Sequence, residues 1–344
     1  MIIRQTSLQT TARTHRTNNT AQTALPGASD SVHLGAAPAA LPGDALRSFA
    51  LQHKRATAQL EQTQQPQEEV ISSFPNRKGY DEKFLGKPLN LPQLDPSIRD
   101  KAASLIGDPE KIELEYTNFS IVMNKERRQA FYAAVNIDGG KVVDLPRKGK
   151  WTIDSRIPRE HQLGNEAYRR NPIDRGHLVR RRDPVWGPEA AQANSDTFVY
   201  TNAGLQHGQL NQKTWLDLEN YILDQAKAED QKLTVITGPV FNESDPLFNN
   251  RGQMDEATQI PQEFWKVVVW NDKEEGLKAA AFLQSQKDYL GNNLFQSEFD
   301  PDGMNVYQMP LRDLEKKTKL DFGPLKDTVK NTRRITETTR PELL

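Results

Sequence analysis

The sequence predicts an α+β protein with an antiparallel β-sheet at its core, and three observations lead to this prediction. Runs of alternating or apolar residues typical of strands occur on both sides of the middle of the chain. One helical pattern, with apolar residues every three to five positions from Leu210 to Ala226, separates them. Strands and helices come in blocks, whereas a parallel α/β sheet requires them to alternate.

The first block of strands precedes residue 144. Ile112 to Met123 alternates as one strand, and Ala130 to Ile137 forms the next after the charged turn Lys125 to Arg128. Asp138-Gly139-Gly140 then predicts a tight hairpin turn into a third short strand, Lys141 to Val143. Strands joined by such short turns pair in an antiparallel sheet.

The second block follows residue 196. Thr197 to Asn202 is predicted as a short strand directly before the long helix. The elements predicted after the helix are strands at 233–237 (ended by Gly238-Pro239), 265–270 and 279–283, and a helix at 311–320.

Composition divides the 344 residues into four predicted parts. The first seventy are rich in Thr, Ala, Gln and Pro and poor in aromatics, so they cannot bury enough apolar surface to become ordered. We expect residues 1–70 to form a disordered or loosely helical N-terminal arm, in which Asp44 could cap a helix. Residues 71–110 are expected to be a linker or N-terminal extension, 111–328 the folded domain and 329–344 a flexible tail.

The chain contains no cysteine, which excludes disulfides, Cys-ligated zinc and thiol catalysis. Any bound metal must be held by His, carboxylate or amide groups, and oxygen ligands favour a hard ion such as Mg²⁺ or Mn²⁺. No stretch approaches the eighteen or so apolar residues of a membrane span, and no apolar run follows Met1. We therefore expect no membrane partner and no secretory signal.

The sequence leaves the cellular location open. Residues 1–29 contain no acidic residue, but Arg4, Arg13 and Arg16 lie among Thr and Ser. This composition fits an organelle transit peptide, a leader for another export route or a disordered tail.

Positive charge is concentrated in one part of a nearly neutral chain. The net charge is -1, yet residues 146–182 contain eleven Arg and Lys against four Asp and Glu. A solvated basic face would have this composition, and so would a site that attracts a polyanion. A candidate catalytic histidine inside the segment favours the second interpretation.

That histidine is His177, which directly follows Arg175 and Gly176. Imidazole has an ordinary pKa near 6.5 and is a suitable base at neutral pH, and glycine lets the backbone turn or approach another group closely. A packing or surface histidine is the alternative, but none of the other five histidines follows an Arg-Gly pair.

Asn211 and Glu219 offer oxygen atoms in the helical pattern that follows. On one straight helix they would be separated by about 12 Å of rise and roughly 80° of rotation, so they could not both ligate one ion. Without further information Asn211 would be a helix cap and Glu219 a surface charge. Trp186 and Trp215 are predicted as core residues rather than base-stacking platforms.

These residues carry a resemblance to a known family. Asp174-Arg175-Gly176-His177 reproduces the Asp-Arg-Gly-His signature of the non-specific DNA/RNA endonucleases, a family of ββα-metal nucleases. A second run resembles the metal helix of this family in order and spacing, and it comprises Thr201-Asn202, Gln206, Leu210-Asn211-Gln212, Trp215, Leu218 and Glu219. The resemblance covers roughly Tyr116 to Leu325 and implies a ββα-metal motif within the sheet domain.

The resemblance also implies roles for individual residues. His177 would be the general base that activates water, and Asn211 the sole protein ligand of a hydrated Mg²⁺, with Mn²⁺ as the alternative ion. Glu219 would orient water bound to the metal. Arg175 would contact phosphate oxygens, and Arg156 would match an arginine that stabilises the transition state. Arg180, Arg181 and Arg182 would extend the phosphate track, with support from Asp174, Asn202 and Gln206.

The implied function is Mg²⁺-dependent hydrolysis of DNA and RNA with little sequence preference, because contacts to phosphate carry no base information. Products would carry 5′-phosphate ends. The alternatives are a catalytically inactive nucleic-acid-binding module and an interaction protein that acts through its N-terminal arm. A nuclease endangers its own cell, so we also expect a protein inhibitor or delivery through residues 1–29, as in an exported toxin. Leu205-Gln206-His207 departs from the Pro-Gln that is usual in the family, which affects the predicted loop shape.

Overall fold

The computed structural model describes residues 69–71, 74–212, 214–290, 306–328 and 333–335. Its α-helices are α1 (Ala190–Asp196), α2 (Gly208–Asn211), α3 (Thr214–Ala228) and α4 (Leu311–Thr318). Its strands are β1 (Glu69–Ile71), β2 (Gln93–Leu94), β3 (Glu113–Glu115), β4 (Phe119–Asn124), β5 (Gln129–Asp138), β6 (Thr152–Asp154), β7 (Ile173–His177), β8 (Ala203–His207), β9 (Lys232–Val240), β10 (Leu247–Phe248), β11 (Thr258–Gln259), β12 (Glu263–Asp272), β13 (Gly276–Ser285), β14 (Val306–Gln308), β15 (Leu320–Asp321) and β16 (Arg333–Ile335).

Eight strands form one sheet in the order β16-β14-β13-β12-β9-β5-β4-β3. Every neighbouring pair in this sheet is antiparallel. β12 is central, pairing with β13 from Glu263 to Asp272 and with β9 from Glu263 to Trp270. The predicted α+β fold with an antiparallel sheet core is therefore confirmed.

The two faces of the sheet bury separate apolar cores, because side chains alternate along each strand. Phe264 of β12 packs in the core that includes Trp215 of α3. Its neighbour Trp265 packs in the core that includes Leu311 of α4. The helices α3 and α4 therefore cover opposite faces, and a third, smaller core lies around β7 and β8.

The strand predictions before residue 144 need two corrections. Residues 112–123 form two strands, β3 and β4, because Asn118 adopts a left-handed conformation (φ 67°) that reverses the chain between them. The hairpin predicted at residues 138–143 does not form. Gly139–Lys141 is a 3-10 helix, and the free edge of β5 pairs with β9 from much later in the chain.

The predictions around the long helix also change. In the predicted strand at residues 197–202, Tyr200–Asn202 is a 3-10 helix, and the strand β8 begins only at Ala203. Gly238-Pro239 does not end β9, which continues to Val240. Among the described strands, β5 pairs with β9 only as far as Thr237, and beyond it β9 pairs with β12 alone. The edge of β9 that faced β5 is therefore free at Pro239, and a proline without an N–H is tolerated there. The sequence pattern could not show that β9 has a free edge at Pro239.

The predicted helix capped by Asp44 lies outside the described residues. Within them, Tyr80 and Leu89 of the predicted linker pack in the α4-side core, and Arg333–Ile335 of the predicted tail form β16. The four-part division of the chain stays a prediction. None of the helices in the described ranges combines the length and apolarity needed to cross a membrane.

Candidate active site

The predicted motif residues lie on a β-β-α unit. β7 and β8 pair antiparallel from Ile173 opposite His207 to His177 opposite Ala203, and α2 begins directly after β8. The outer edge of β8 is held by two glutamine side chains. Gln129 Oε1 accepts from Leu205 N at 3.2 Å, and Gln286 accepts from His207 N and donates to Leu205 O at 2.7 and 2.9 Å. These amides take the place of a third strand and fix the unit against the main sheet.

Gly176 is required by close packing and not by a turn. A Cβ built on Gly176 would lie 1.8 Å from Oε1 of Gln206, far inside an ordinary contact. Gln206 is fully buried, and neither atom of its amide has a hydrogen-bond partner among the described residues. Gln206, predicted as a supporting residue, therefore fills the space that the absent side chain of Gly176 leaves.

His177 ends β7 in an aromatic and cationic environment. Its ring centroid lies 4.8 Å from that of Trp151 and 5.3 Å from that of Phe198. Part of the residue reaches solvent, but Nε2 is buried and has no hydrogen-bond partner in the described part of the chain. Burial, with added repulsion from Arg147 and Arg181, lowers the pKa of His177 to about 3. The imidazole is therefore neutral at pH 7, as a proton acceptor must be.

Arg175 lies two residues before His177, so both side chains leave the same face of β7. Its guanidinium carbon lies 5.3 Å from the ring centroid of Tyr168, 5.7 Å from that of Tyr200 and 6.0 Å from that of Trp151. One terminal nitrogen donates to Asn165, while the buried Nε has no partner among the described residues. The aromatic rings hold the guanidinium in place without using all of its donors.

Asn211 is the last residue of α2, and its orientation is set by Asp174. Asn211 Nδ2 donates to Asp174 Oδ2 at 3.0 Å, and Gln212 donates to the same oxygen at 2.8 Å. Because a carboxylate only accepts, the amide atom that faces it must be nitrogen. The amide oxygen of Asn211 is left as the atom that a cation could bind, because the hydrogen bond to Asp174 fixes the orientation of the amide.

Glu219 lies in α3, on a separate helix from Asn211, and is buried among charges. Its Oε1 is 3.4 Å from Lys266 Nζ and its Oε2 is 3.7 Å from Arg180 Nε. Lys266 also donates to Thr237 Oγ1 at 3.0 Å. Burial raises the pKa of nearby Asp183 to about 7, opposed by the charges of Arg180 and Lys266. The surface-charge alternative for Glu219 does not apply, since only 8% of the residue is exposed.

The three consecutive arginines have different environments. Arg180 is buried and donates to the backbone carbonyl of Glu219 at 2.7 Å, so it does not present a free guanidinium at the surface. Arg181 donates to Leu145 O at 2.9 Å and to Asn194 Oδ1 at 3.0 Å, and its positive charge helps to lower the pKa of His177. Arg182 pairs with exposed Asp144. Of the three arginines, Arg181 is the one whose charge helps to lower the pKa of His177.

Arg156 occupies a structural network. It forms an ion pair with buried Asp154 at 2.7 Å, donates to Glu115 O and lies 3.9 Å from the ring centroid of Phe74. This partner set uses the donors that a transition-state role would need. Asn202 is also fully buried, and its amide bonds both N–H and C=O of Val179, which fixes the loop after His177.

Sequence reasoning missed three residues of this region. The positive charge of Arg147 helps to lower the pKa of His177, and Trp151 lies against the His177 ring. Arg147 and Trp151 are a cation and an aromatic residue inside the basic segment 146–182, and their spacing in the sequence did not distinguish them from the other residues of that segment. Lys266 is almost completely buried in β12, and a charged residue within an apolar strand is the anomaly that could have revealed it.

The donor set fits a sparsely ligated hard cation. Within the described residues, no group of three or more His, Asp or Glu side chains is placed to hold a metal ion. Mg²⁺ does not require such a group, because it usually keeps several waters and takes one or two protein ligands together with substrate phosphate. The oriented amide of Asn211 is suited to this type of site.

Relatives of the chain include nucleases, and they are longer than the region matched. The chain is 40% identical over 231 residues to the uncharacterized protein y4fB of Sinorhizobium fredii, covering 63% of this chain and 34% of that protein. It is 30% identical over 139 residues to the salivary endonuclease of Lutzomyia longipalpis, covering 40% and 31%. It is 24% identical over 230 residues to the mitochondrial nuclease EXOG of Mus musculus, covering 64% and 59%. The chain thus spans less than two thirds of the length of each of these three relatives.

The solved structure of the EndoG/EndoGI complex contains a chain that is 17% identical to this one. The match has a TM-score of 0.45 and covers 60% of this chain and 84% of that chain. The family model for the DNA/RNA non-specific endonucleases matches residues 104–328, which is well over half of the chain. The chain therefore belongs to the DNA/RNA non-specific endonuclease family.

Proposed function

We propose that this chain is a metal-dependent endonuclease that hydrolyses phosphodiester bonds of DNA and RNA with little sequence preference. One observation carries the proposal. His177 Nε2 and Arg175 Nε are both buried without hydrogen-bond partners among the described residues, and both side chains contact Trp151. Unpaired buried polar atoms are costly, and an anionic group with an adjacent water molecule would satisfy both. Membership of a nuclease family supports a phosphodiester as that anion.

His177 acts as the general base in this proposal. Nε2 accepts a proton from water as the water oxygen forms a bond to phosphorus and the bond from phosphorus to the 3′ oxygen breaks. The departing oxygen takes a proton from solvent, which gives 5′-phosphate and 3′-hydroxyl ends. A phosphate beside Arg147 and Arg181 would offset their charge and raise the pKa of His177 from about 3, making the imidazole a stronger base when substrate is bound.

The remaining residues position the phosphate and a cation. Mg²⁺, or Mn²⁺ in its place, would supply positive charge against the charge that develops on the phosphate. Asn211 Oδ1 would hold the ion, with Asp174 fixing the amide and Glu219 orienting water. Arg175 and Arg181 would contact phosphate oxygens. We do not assign substrate contact to Arg180, because its guanidinium is used by Glu219.

Little sequence preference follows from the kind of contact proposed. The candidate ligands of the substrate are guanidinium groups and a metal ion, all of which bind phosphate and carry no base information. The surplus of positive charge in residues 146–182 would steer either nucleic acid to the site. Binding should accordingly weaken as the salt concentration rises.

The test compares wild type with His177→Ala and with His161→Ala as a matched control, since His161 ends a 3-10 helix, Arg159–His161, outside the β7–β8 pair. Each protein is incubated with supercoiled plasmid and with single-stranded RNA, with Mg²⁺ or with a chelator. We expect metal-dependent cleavage by wild type and His161→Ala, and a loss of at least about a hundredfold in His177→Ala. Intact substrates with folded wild type and Mg²⁺ would overturn the proposal, and tight binding without cleavage would instead identify an inactive nucleic-acid-binding module.

We further propose that the cell restrains this activity through delivery by residues 1–29 or through a protein inhibitor, because an enzyme without base specificity would attack host nucleic acid. Fractionation of cells that express the full chain or a chain starting at Glu69 tests the first route. Equal location and equal toxicity of the two forms would remove the case for delivery and leave the inhibitor.

A further inference from the structure

Lys266 is a buried charge that the proposed mechanism does not use. It lies in the central strand β12 with 1% of its surface exposed. A lysine at such a position is unusual, because taking an ammonium group out of water is costly unless it is paired. The neighbours on either side, Trp265 and Val267, pack into the opposite core, so Lys266 extends from the face that α3 covers.

The ammonium group bridges the sheet and the helix. Thr237 lies directly opposite Lys266 on β9, and its hydroxyl is 3.0 Å from Nζ. Above the sheet, Nζ is 4.9 Å from the ring centroid of Trp215 and 3.4 Å from Glu219 Oε1. Trp215 and Glu219 are four residues apart on α3 and therefore share one face of the helix. The Lys266 ammonium group thus approaches Glu219 from the side of the sheet, and its hydrogen bond to Thr237 fixes its position.

Glu219 is held from a second direction by the chain that follows the catalytic histidine. Arg180 lies three residues after His177, and its Nε is 3.7 Å from Glu219 Oε2. Its Nη1 donates to the backbone carbonyl of Glu219 at 2.7 Å. Each oxygen of the carboxylate therefore faces a different cation, one from the sheet and one from the loop after β7.

Stability alone is a poor reason for this arrangement. Apolar side chains of similar volume in place of a buried ion pair are often neutral or stabilising, and β12 otherwise buries apolar residues on this face. A fixed carboxylate at this position has a use, however, because groups that hold metal-bound water tune metal affinity and reactivity. The carboxylate can do so only if its rotamer is restricted.

We propose that Lys266 is a positioning residue that fixes the carboxylate of Glu219 towards the water shell of the cation held at Asn211. The inference rests on the proposed function, since it assigns Lys266 a role in the same site. Lys266 does not touch substrate and acts only through Glu219. Thr237 has a subsidiary part, because its hydroxyl sets the position of the ammonium group.

The experiment uses Lys266→Met, which keeps length and removes charge, with Lys278→Met as the matched control. Lys278 lies on the neighbouring strand β13 in a partly exposed ion pair with Glu275. Plasmid cleavage is measured against Mg²⁺ concentration. Binding of Mn²⁺ to each protein in a His177→Ala background, with an uncleaved single-stranded oligonucleotide, is measured by electron paramagnetic resonance.

We expect Lys266→Met to raise the half-saturating Mg²⁺ concentration and to weaken Mn²⁺ binding by roughly tenfold or more, while Lys278→Met leaves both unchanged. In a Glu219→Gln background, Lys266→Met should have little further effect, because there is no carboxylate left to position. Thr237→Val is the milder variant if Lys266→Met does not fold, and it should shift both measurements in the same direction.

Failure of this inference can be distinguished from failure of the proposed function. If wild type cleaves plasmid and folded Lys266→Met binds Mn²⁺ and responds to Mg²⁺ like Lys278→Met, Lys266 has no positioning role. Equal losses from Lys266→Met with and without the Glu219→Gln change would also overturn the inference. If wild type fails to cleave at all, the proposed function fails.

Discussion

The strongest single prediction concerns Gly176→Ala. The added methyl group would lie 1.8, 2.3 and 2.6 Å from Oε1, Cδ and Cγ of Gln206, where ordinary contacts are 3.4 to 4 Å. Gln206 would have to retreat by more than an ångström, although it is fully buried among its neighbours. Overpacking of this kind costs about 1–3 kcal/mol, and we expect a value at or above the upper end because the overlap involves three atoms.

Adding the variant Gln206→Ala completes a double-mutant cycle between positions 176 and 206. By itself Gln206→Ala should destabilise the protein by about 1–3 kcal/mol through the cavity it leaves. In the double variant the methyl group added at position 176 enters that space, so the combined cost should be smaller than the sum by about 2 kcal/mol. Gly208→Ala is the matched control, since its Cβ would come no closer than 3.5 Å to any other group.

Unfolding by urea, with free energies compared at equal slope, measures all four variants. Metal-dependent cleavage is a second readout, because a shift of β7 by about 1 Å would move His177 and could lower activity by roughly a hundredfold. The reasoning is refuted if Gly176→Ala lies within about 0.5 kcal/mol of wild type, or if the two single effects simply add.

Three further variants test other contacts of the site. The pKa of His177 is about 3 in the folded protein, below its unfolded value of 6.5, so the contribution of His177 to stability is intact above pH 6.5 and falls by at most about 5 kcal/mol as the pH drops towards 3. His177→Asn should therefore lose less thermal stability between pH 7.5 and 4.5 than wild type. Equal losses in the two proteins would contradict the lowered pKa. Asp174→Asn should raise the half-saturating Mg²⁺ concentration about tenfold without large destabilisation, since Asp174 orients Asn211, and an unchanged metal titration would count against that role. Arg156→Ala should destabilise the fold by about 3–5 kcal/mol in urea unfolding because it strands buried Asp154, and a stable but inactive variant would favour the transition-state role instead.

Several elements of the fold could be predicted because their signals are local. Alternation and apolar runs located β5, β9, β12 and β13, and helical spacing located α3, each within a few residues. The failures depended on distant partners. Gly139 begins a 3-10 helix instead of a hairpin turn, and a side chain there would lie 2.0 Å from Ala226 O near the end of α3, a contact that no local pattern of residues shows.

The candidate site divides in the same way. Family resemblance brought forward His177, Asn211 and Glu219 from the sequence, and their roles stay proposals. The partners of these residues could not be predicted, because they come from elements far apart in the chain. Asp174 reaches Asn211 across 37 residues, and Lys266 reaches Glu219 across 47.

The sequence by itself determined the residue types available for chemistry: no thiol, one histidine behind an Arg-Gly pair, and a basic segment around it. Tertiary structure alone decided which arginine and lysine side chains act on Glu219 and which act on His177. Arg180 and Lys266 turn inwards to Glu219, while the charges of Arg147 and Arg181 lower the pKa of His177. The physical reason is that an arginine or lysine has the same charge everywhere, and only burial and the position of its partner decide whether it stabilises a carboxylate or is directed towards a substrate.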